Sequence, residues 1–209
     1  MLINDIYNFF LTTDGVSTDS RKIVDNSLFI SLKGDRFNGN EFAKSAIENG
    51  ARYAIIDDEK YKIDERFILV KNCLETLQKL ANFHRKKINA KIIAITGSNG
   101  KTTTKELLYN VFKSRYNTIC TIGNLNNHIG VPLSLLSIRT DTEIAVIEMG
   151  ASSLGEIKLL CEIAEPNFGY ISNFGKAHIE GFGSESKVLE GKSELYNYLK
   201  INNGTIFYN

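Results

Sequence analysis

The sequence has no tryptophan, and its 209 residues include only two prolines and three cysteines. It also lacks any apolar run near the roughly 20 residues that a membrane-spanning helix requires. The segment Met1 to Phe10 has neither the basic start nor the small-residue cleavage site of a secretory signal peptide. These absences argue against an exported or membrane-inserted protein, and we expect a cytoplasmic location.

The three cysteines are Cys73, Cys120 and Cys161. They are far apart in the chain, odd in number and in none of the spacings that bind zinc. Free thiols in a reducing compartment therefore fit the sequence better than a disulfide framework.

Neither sign of charge is in excess. The 25 lysines and arginines nearly balance the 24 aspartates and glutamates, and the charges are interspersed along the chain. A surface for nucleic acid or an anionic membrane needs concentrated positive charge, which this sequence does not have. We expect a monomer with small-molecule substrates and no nucleic-acid partner. The hydrophobic content, 43%, suffices for one large domain or two small ones.

The most informative stretch runs from Ala94 to Glu106 and reads Ala-Ile-Thr-Gly-Ser-Asn-Gly-Lys-Thr-Thr-Thr-Lys-Glu. An apolar run that ends at Ile95 predicts a buried strand, and the residues after Gly100 have helical spacing. A strand, a glycine-rich turn and a helix in this order predict a phosphate-binding loop, because backbone N–H groups and the helix N-terminus can approach phosphate oxygens. The residues predicted to bind ATP are Gly97, Ser98, Asn99, Gly100, Lys101, Thr102 and Thr103.

Lys101 and Thr102 are the chemically active residues of this loop. Lys101 supplies a positive charge for the β- and γ-phosphates, and the Thr102 hydroxyl can ligate Mg²⁺. The general phosphate-loop pattern has a further glycine where this chain has Ile95. An ordinary glycine-rich turn with an exposed lysine is therefore the alternative interpretation.

Strands alternate with helices from residue 91 to residue 209. Such alternation is typical of an α/β domain with a mainly parallel sheet and helices on both faces, whose ligands bind at the carboxyl ends of the strands. The predicted strands are 92–96, 118–121, 144–148, 168–172 and 205–208.

Polar residues follow two of these strands. Glu148 comes directly after the apolar run 144–147 and is placed to ligate Mg²⁺, although a strand-end carboxylate can also face solvent. Asn126 and Asn127 lie in an asparagine-rich loop whose amides suit a polar substrate. Ordinary turn formation is the alternative for this loop, because asparagine is a common turn residue.

His178 and Lys192 are harder to assign from residue type. His178 also follows a predicted strand, where a metal or phosphate role competes with that of a packed or surface histidine. Lys192 lies on a predicted helix after Gly191 and on its own is interpreted as a surface lysine.

The first 87 residues predict a separate small α/β domain without a phosphate loop of its own. Asp19, Ser20 and Arg21 lie at the end of one strand, and Lys33 and Gly34 follow the next. Together they could hold a diphosphate with its sugar or base, and solvated loops are the alternative. The predicted strands of this domain are 16–21, 28–32, 53–56 and 67–70, with helices over 41–49 and from 72 onwards.

Taken together, these stretches resemble the Mur ligase family of peptidoglycan synthesis, and within it the branch that uses D-alanyl-D-alanine. The shorter phosphate-loop pattern is also that of the family. The matching stretches run through the chain in the family's order and are Thr18 to Arg21, Lys33 to Phe42, Thr96 to Glu106, Gly123 to Leu136, Glu148 to Ala151, Gly155 to Ile157, and Ile171 to Ser184 with Lys192.

The resemblance implies roles for individual residues. Those implied to be catalytic are Lys101, His178 and Lys192. Those implied to hold magnesium are Thr102, Glu148, His178 and Lys192, the last as a carbamate formed from the neutral amine and CO₂. Those implied to contact the UDP-linked substrate are Asp19, Ser20, Arg21, Lys33, Gly34, Asn126 and Asn127.

The implied reaction is an ATP- and Mg²⁺-dependent amide ligation. The terminal carboxylate of UDP-N-acetylmuramoyl-tripeptide attacks the γ-phosphate of ATP and gives an acyl phosphate and ADP. The amine of D-alanyl-D-alanine then displaces phosphate. Family members continue into more of the central domain and then a third domain. The sequence thus predicts a substrate-binding domain over residues 1–87 and an incomplete phosphate-loop domain over 88–209, without the C-terminal ligase domain and with its activity alone left open.

Other interpretations stay open at this level. One is a different ligase of the superfamily, such as the enzyme that adds the third peptide residue or a folylpolyglutamate synthase. A second is a non-catalytic, truncated module that binds a nucleotide or a UDP-sugar. A third is an unrelated phosphate-loop NTPase, which would explain nothing before Lys91.

Overall fold

The computed structural model describes residues 2–175 and 179–209. Its chain divides into two compact units, Met1–His84 and Arg85–Asn209, whereas the sequence placed the boundary after residue 87. Both units are α/β, and every strand pairing within their two larger sheets is parallel. The predicted fold class and mainly parallel sheet are thereby confirmed. Over the described residues, none of the helices has the length and apolar character needed to cross a bilayer.

The first unit is built on a four-stranded sheet with the strand order β1-β2-β5-β6. A short antiparallel hairpin, β3 with β4, follows β2. The elements in chain order are α1 Ile3–Leu11, β1 Val16–Ser17, β2 Leu28–Ile30, β3 Lys33–Gly34, β4 Phe37–Asn38, α2 Ala43–Glu48, β5 Tyr53–Ile56, β6 Phe67–Leu69 and α3 Cys73–Lys87, with 3₁₀ turns at Gly39–Phe42 and Glu59–Tyr61.

Two features of this unit differ from the sequence prediction. The first strand stops at Ser17 and not at Arg21, because the N–H of Lys22 donates to the carbonyl of Asp19 and closes a turn. Helix α1 was not predicted, although it buries Ile6, Tyr7 and Phe10 at helical spacing. One apolar cluster of this unit consists of Phe29, Ala43, Ala46, Ala51, Ala54, Ile56 and Phe67.

The second unit is a five-stranded sheet with the order β11-β10-β7-β9-β8. Its central strand is the one that precedes the phosphate loop. The elements in chain order are β7 Lys91–Thr96, α4 Lys101–Lys113, β8 Thr118–Cys120, α5 Gly130–Leu136, β9 Ile144–Glu148, α6 Glu156–Ala164, β10 Phe168–Ile171, α7 Ile179–Phe182, α8 Glu185–Ile201 and β11 Thr205–Phe207.

The register of the central strands brings the functional candidates to one edge of this sheet. Strands β7 and β9 are buried along most of their length, which explains their nearly continuous apolar sequences. They pair in parallel, with Ile95 opposite Glu148. The carboxyl end of β9 therefore lies beside the loop that joins β7 to α4, at the strand-order position where open α/β sheets bind ligands.

Candidate functional site

The loop between β7 and α4 depends on two glycines. Gly97 has φ +141°, and a Cβ atom there would lie 2.1 Å from the Ser172 Oγ. Gly100 has φ +77° and directly precedes α4. Only glycine adopts these angles without strain, so both residues are needed for the tight turn that aims the loop at the start of the helix.

The segment after β10 holds this loop in place. The backbone N–H of Ser98 donates to the carbonyl of Asn173 at 3.1 Å, and the N–H of Asn99 donates to the Asn173 side-chain oxygen at 2.9 Å. The Ser172 hydroxyl donates to the Asn99 carbonyl at 2.6 Å, and the Ser98 hydroxyl donates to the Gly175 carbonyl at 2.9 Å. Asn173 thus accepts hydrogen bonds from backbone N–H groups of the kind that phosphate loops donate to a phosphate. The sequence did not indicate this role for Asn173.

Lys101 folds back over the same loop. Its Nζ donates to the Gly97 carbonyl at 2.8 Å and to the Ser98 carbonyl at 3.1 Å. Burial lowers the pKa of Lys101, and the nearby Glu148 carboxylate partly opposes that effect. The ammonium group is therefore held at the loop by carbonyl oxygens, which an incoming phosphate can replace as better acceptors.

Glu148, at the carboxyl end of β9, forms the part of the site that faces Thr102 and Asn126. Its Oε2 accepts a hydrogen bond from the Thr102 hydroxyl at 3.0 Å, and its Oε1 accepts one from the Asn126 side-chain amide at 2.8 Å. The residue is 1% exposed, so the two contacts fix the orientation of a nearly buried carboxylate. The structure thereby brings together Thr102, Asn126 and Glu148, which are far apart in sequence.

The Thr102 and Glu148 oxygens fit a magnesium ion. Two adjacent ligands of an octahedral Mg²⁺, each about 2.0–2.1 Å from the metal, lie roughly 2.9 Å apart. The Thr102 and Glu148 oxygens are separated by 3.0 Å, so both can enter one coordination sphere with little movement. Nearby, the fully buried Thr96 hydroxyl has no hydrogen-bond partner among the described residues. Within residues 2–175 and 179–209, no group of three or more His, Cys, Asp or Glu side chains could hold a metal ion.

Lys105 is a site residue that the sequence did not single out. It lies on α4 one turn after Lys101, is 1% exposed, and its Nζ donates to the Thr121 carbonyl at 2.7 Å. The Nζ is also 3.1 Å from a Glu106 carboxylate oxygen. The Thr121 hydroxyl accepts the backbone N–H of Glu148 at 2.9 Å. Lys105 therefore connects the helix that carries Thr102 to the strand end that carries Glu148.

We expect Lys105→Met to lower the free energy of unfolding by about 1–3 kcal/mol, because the variant keeps the apolar stem but leaves the buried Thr121 carbonyl without this donor. Urea unfolding followed by circular dichroism measures the change. The matched control is Lys113→Met at the exposed end of the same helix, for which about 0.5 kcal/mol or less is expected. Equal or higher stability of Lys105→Met would mean that the cost of burying the charge outweighs its hydrogen bond.

Lys192 is buried, so its interpretation as a surface lysine is wrong. The residue is 0% exposed on α8, and its Nζ donates to the Ala151 carbonyl at 3.0 Å and lies 5.3 Å from the centre of the Phe182 ring. Burial, together with the nearby positive charge of Lys101, lowers the pKa of Lys192 to about 8, although Glu156 and Glu194 oppose the change.

His178, the remaining residue with a predicted metal role, lies outside the described residues.

A cleft of about 560 Å³ adjoins Lys101, Asn126 and Ala151. Asn127 lines it, yet its side-chain oxygen also accepts the N–H groups of Ile129 and Gly130 at the start of α5. The turn chemistry that was the alternative interpretation is thus present at Asn127. The residues around the cleft are Lys101, Asn124, Asn126, Asn127, His128, Gly150, Ala151, Ser152, Glu156, Leu159 and Leu160.

The candidate residues of the first unit follow β1 and β2, which are neighbours in its sheet. Arg21 forms a bidentate pair with Asp19, with N–O distances of 2.8 and 2.7 Å, and the backbone N–H of Arg21 also donates to Asp19. The side-chain hydrogen bond from Arg21 holds the pKa of Asp19 below its ordinary value. Ser20 lies in the same turn and is partly buried.

Lys33 also has a carboxylate partner, which the sequence did not indicate. Its Nζ is 2.8 Å from Asp57, which directly follows β5 and also accepts a hydrogen bond from the Asn40 amide at 2.8 Å. Gly34 lies under the Phe37 ring, and a Cβ atom at Gly34 would come within 2.4 Å of that ring. The rule that drew attention to Glu148, a polar residue at the end of an apolar strand, would also have found Asp57.

Comparison with known proteins agrees with this geometry. The family description "Mur ligase family, catalytic domain" matches residues 12–85, and "Mur ligase middle domain" matches residues 95–209. The second match covers the phosphate loop, Glu148 and Lys192, and it spans more than half of the chain.

Individual relatives have the same two parts. The UDP-N-acetylmuramoyl-tripeptide--D-alanyl-D-alanine ligase of Bacillus subtilis (strain 168) is 42% identical over 93% of this chain and 43% of its own length. The ligase of the same name from Escherichia coli (strain K12) is 38% identical over 92% of this chain and 42% of its own length. The crystal structure of MurF ligase from Thermotoga maritima in complex with ADP superposes with a TM-score of 0.80 at 37% identity, covering 90% of this chain and 44% of that one.

The chain therefore spans less than half the length of these relatives. Within that span the similarity covers both units, the phosphate loop and the strand-end carboxylate. The chain belongs to the Mur ligase family.

Proposed function

We propose that this chain supplies the UDP-substrate-binding and ATP-binding parts of a ligase that joins D-alanyl-D-alanine to UDP-N-acetylmuramoyl-tripeptide. The observation that carries the proposal is the meeting of the Lys101 ammonium, the Thr102 hydroxyl and the Glu148 carboxylate at the start of α4. The names of the relatives and the ADP in the Thermotoga maritima structure support the choice of substrates.

Each residue of this group has a role in phosphoryl transfer. The N-terminal end of α4 and Lys101 attract the phosphates of ATP, because both present positive charge. Thr102 and Glu148 would hold Mg²⁺, which neutralises charge on the phosphate oxygens. Asn126 orients Glu148 through its amide. Attack of the tripeptide carboxylate on the γ-phosphate and attack of the dipeptide amine on the acyl phosphate both concentrate negative charge, which Lys101 stabilises.

The first unit would bind the UDP part of the substrate through Asp19, Ser20, Arg21, Lys33 and Gly34. Arg21 and Lys33 carry the positive charge that a diphosphate requires, and their side chains are 85% and 48% exposed. Each already pairs with a carboxylate, Asp19 or Asp57. We propose that these carboxylates preorient the cations, which then share their free N–H groups with the diphosphate.

Lys192 would act as a carbamate. Only a neutral amine reacts with CO₂, and a pKa of about 8 leaves roughly one tenth of Lys192 neutral at pH 7, against less than a thousandth for an ordinary lysine. We expect a carbamate signal at Lys192 in ¹³C NMR under labelled CO₂ that grows as the pH rises from 6 through 8. Exposed Lys200 on the same helix is the internal control. Absence of a Lys192 signal at pH 8 would contradict the carbamate.

The proposal includes a cytoplasmic monomer that acts on small molecules, without nucleic-acid or membrane partners. The near balance of 25 positive and 24 negative residues supports the absence of a nucleic-acid surface. Cys73, Cys120 and Cys161 are free thiols, as expected in a reducing compartment.

The testing experiment measures binding, because the chain spans less than half the length of its ligase relatives. Calorimetric titrations use UDP-N-acetylmuramoyl-tripeptide for the first unit and MgADP for the second, with UMP and a folate as comparison ligands. We expect both principal ligands to bind, and the muramoyl tripeptide to bind more tightly than UMP or folate. Binding of folate in preference to the muramoyl tripeptide, or no binding of MgADP by folded protein, would contradict the proposed function.

A further inference from the structure

Helix α8 contacts the segment between β9 and α6 at two points. Lys192 donates from its Nζ to the Ala151 carbonyl at 3.0 Å. Glu194, two residues later on the same helix, accepts the backbone N–H of Gly155 at 2.6 Å through Oε1 and that of Lys158 at 2.8 Å through Oε2. The segment that follows Glu148 and lines the cleft is thus held by one lysine and one glutamate of the same helix.

The Glu194 contact needs a carboxylate. The two N–H groups belong to the start of α6, where backbone donors have no partner within their own helix and the helix dipole is positive. Each carboxylate oxygen takes one donor, and the negative charge strengthens both hydrogen bonds. A glutamine has only one acceptor oxygen in its side chain, and it would direct an NH₂ group toward the other donor.

The packing around Lys192 leaves little room for α8 to shift. A Cβ atom on Gly191 would lie 2.4 Å from the Phe182 ring and 3.3 Å from Leu154, so the helix packs closely against both side chains. Leu154 directly precedes Gly155, whose N–H is bound by Glu194. Because α8 is rigid over this short distance, the anchor at Glu194 also sets the position of the Lys192 backbone.

Glu194 is not simply the local cap of α6. Glu156, the first residue of that helix, accepts the N–H groups of Ser152 and Ser153 at 2.6 and 3.2 Å, and these two residues precede α6. Glu194 adds a connection between two helices, which these contacts within the segment before α6 do not provide. The partners of Glu194 lie at the α6 end of the segment, and β9, which ends in Glu148, lies at its other end along the chain.

We propose that Glu194 is a positioning residue for Lys192: it anchors α8 to the start of α6 and so places the Lys192 amine against the carbonyl of Ala151, a residue that lines the cleft. The inference rests on the proposed function, in which Lys192 acts at the metal and nucleotide site. Groups that orient metal-site residues typically change metal affinity or activity by about 10–100-fold when they are replaced.

The first experiment measures the position of Lys192 without any nucleotide. Wild type, Glu194→Gln and Glu194→Asp are treated with cyanate, and mass spectrometry gives the rate of modification at Lys192 relative to exposed Lys200. Loss of the anchor should raise the Lys192 rate by about tenfold in both variants, because charge-assisted hydrogen bonds are lost. Glu194→Gln also removes a charge that raises the pKa of Lys192, whereas Glu194→Asp keeps that charge and only shortens the anchor. The matched control is Glu190→Gln, an exposed glutamate one turn earlier on α8, and it should behave as wild type. An unchanged rate in both Glu194 variants, or a rise in Glu194→Gln alone, would overturn the inference.

The second experiment separates positioning from capping. Calorimetry measures ADP affinity with and without Mg²⁺. We expect Glu194→Gln to reduce the gain in ADP affinity that Mg²⁺ provides by about tenfold, and to change the affinity for metal-free ADP by less than about twofold. If Mg²⁺ increased the ADP affinity of the variant as much as that of wild type, Glu194 would serve only as a helix cap, and the inference would be overturned. Failure of wild type itself to bind ADP would count against the proposed function, and the cyanate rates would then decide on Glu194 alone.

Discussion

Lys101→Met is expected to weaken the binding of ATP and ADP by about 100-fold. The ammonium group sits at the phosphate loop, where it donates to the Gly97 and Ser98 carbonyls at 2.8 and 3.1 Å. Bound phosphate oxygens would replace these carbonyls as charged acceptors. A hydrogen bond between charged groups contributes about 1.5–3 kcal/mol, and the upper end of that range corresponds to the expected factor. Isothermal titration calorimetry with MgADP measures the loss.

Folding should be almost unaffected by this substitution. Lys101 is only partly buried, so water can reach the two carbonyls that lose its Nζ, and the free energy of unfolding should change by less than about 1 kcal/mol. Lys113→Met, at the exposed end of the same helix, controls for the loss of one positive charge. Affinity for MgADP within twofold of wild type in a folded Lys101→Met protein would contradict the assignment of Lys101 to the phosphates.

Glu148→Gln is expected to reduce the gain in nucleotide affinity that Mg²⁺ provides by about 100-fold. Its two oxygens contact the Asn126 amide and the Thr102 hydroxyl, and the glutamine can keep both contacts because its carbonyl accepts from Asn126 and the Thr102 hydroxyl can accept from its NH₂ group. The fold is therefore preserved while an anionic magnesium ligand becomes a neutral amide. Neutral amides are much weaker ligands for Mg²⁺ than carboxylates, which carry a full negative charge.

The measurement compares ADP affinity in Mg²⁺ with that in a chelator. In the variant the affinity without Mg²⁺ should equal or exceed that of wild type, because a negative charge near the phosphates has been removed. Glu143→Gln is the matched control: Glu143 precedes the opposite end of β9, where its carboxylate accepts the Asn117 N–H. An undiminished response to Mg²⁺ in Glu148→Gln would show that the cation binds elsewhere.

The sequence predicted those parts of the molecule that follow from short-range pattern and sheet geometry. The strand, glycine turn and helix around Lys101 were predicted: β7 has nearly the predicted bounds, and α4 begins directly after Gly100. Because parallel strands have their carboxyl ends at one edge of a sheet, the sequence predicted that Glu148 lies near the phosphate loop. The Thr102 oxygen lies 3.0 Å from the Glu148 carboxylate.

Other features depend on packing between distant segments. Lys105 and Lys192 are almost completely buried, but no local pattern distinguishes them from exposed helical lysines, because burial is decided by what the rest of the fold places over them. The carbonyl acceptors that make their burial tolerable, on Thr121 and Ala151, belong to other elements. The capping role of Asn127 likewise appears only when α5 is in place.

Two omissions had a signal in the sequence. Ile6, Tyr7 and Phe10 recur at the spacing of a buried helix face, which would have predicted α1. Asp57 follows an apolar strand just as Glu148 does, and it pairs with Lys33. The ion pair itself could not be predicted. Lys33 lies in the hairpin of β3 and β4, whereas Asp57 follows β5, and no local pattern relates the two positions.

The contact of Asn173 with the phosphate loop bears on the thermodynamics of nucleotide binding. The N–H groups of Ser98 and Asn99 already donate to Asn173, so a phosphate at this loop exchanges one acceptor for another and adds few hydrogen bonds. The favourable part of the exchange is the replacement of neutral amide oxygens by anionic ones. Asn173, which a bound phosphate would release, belongs to the stretch directly after β10, and occupancy of the loop would then be coupled to the conformation of that stretch through a shared set of backbone donors.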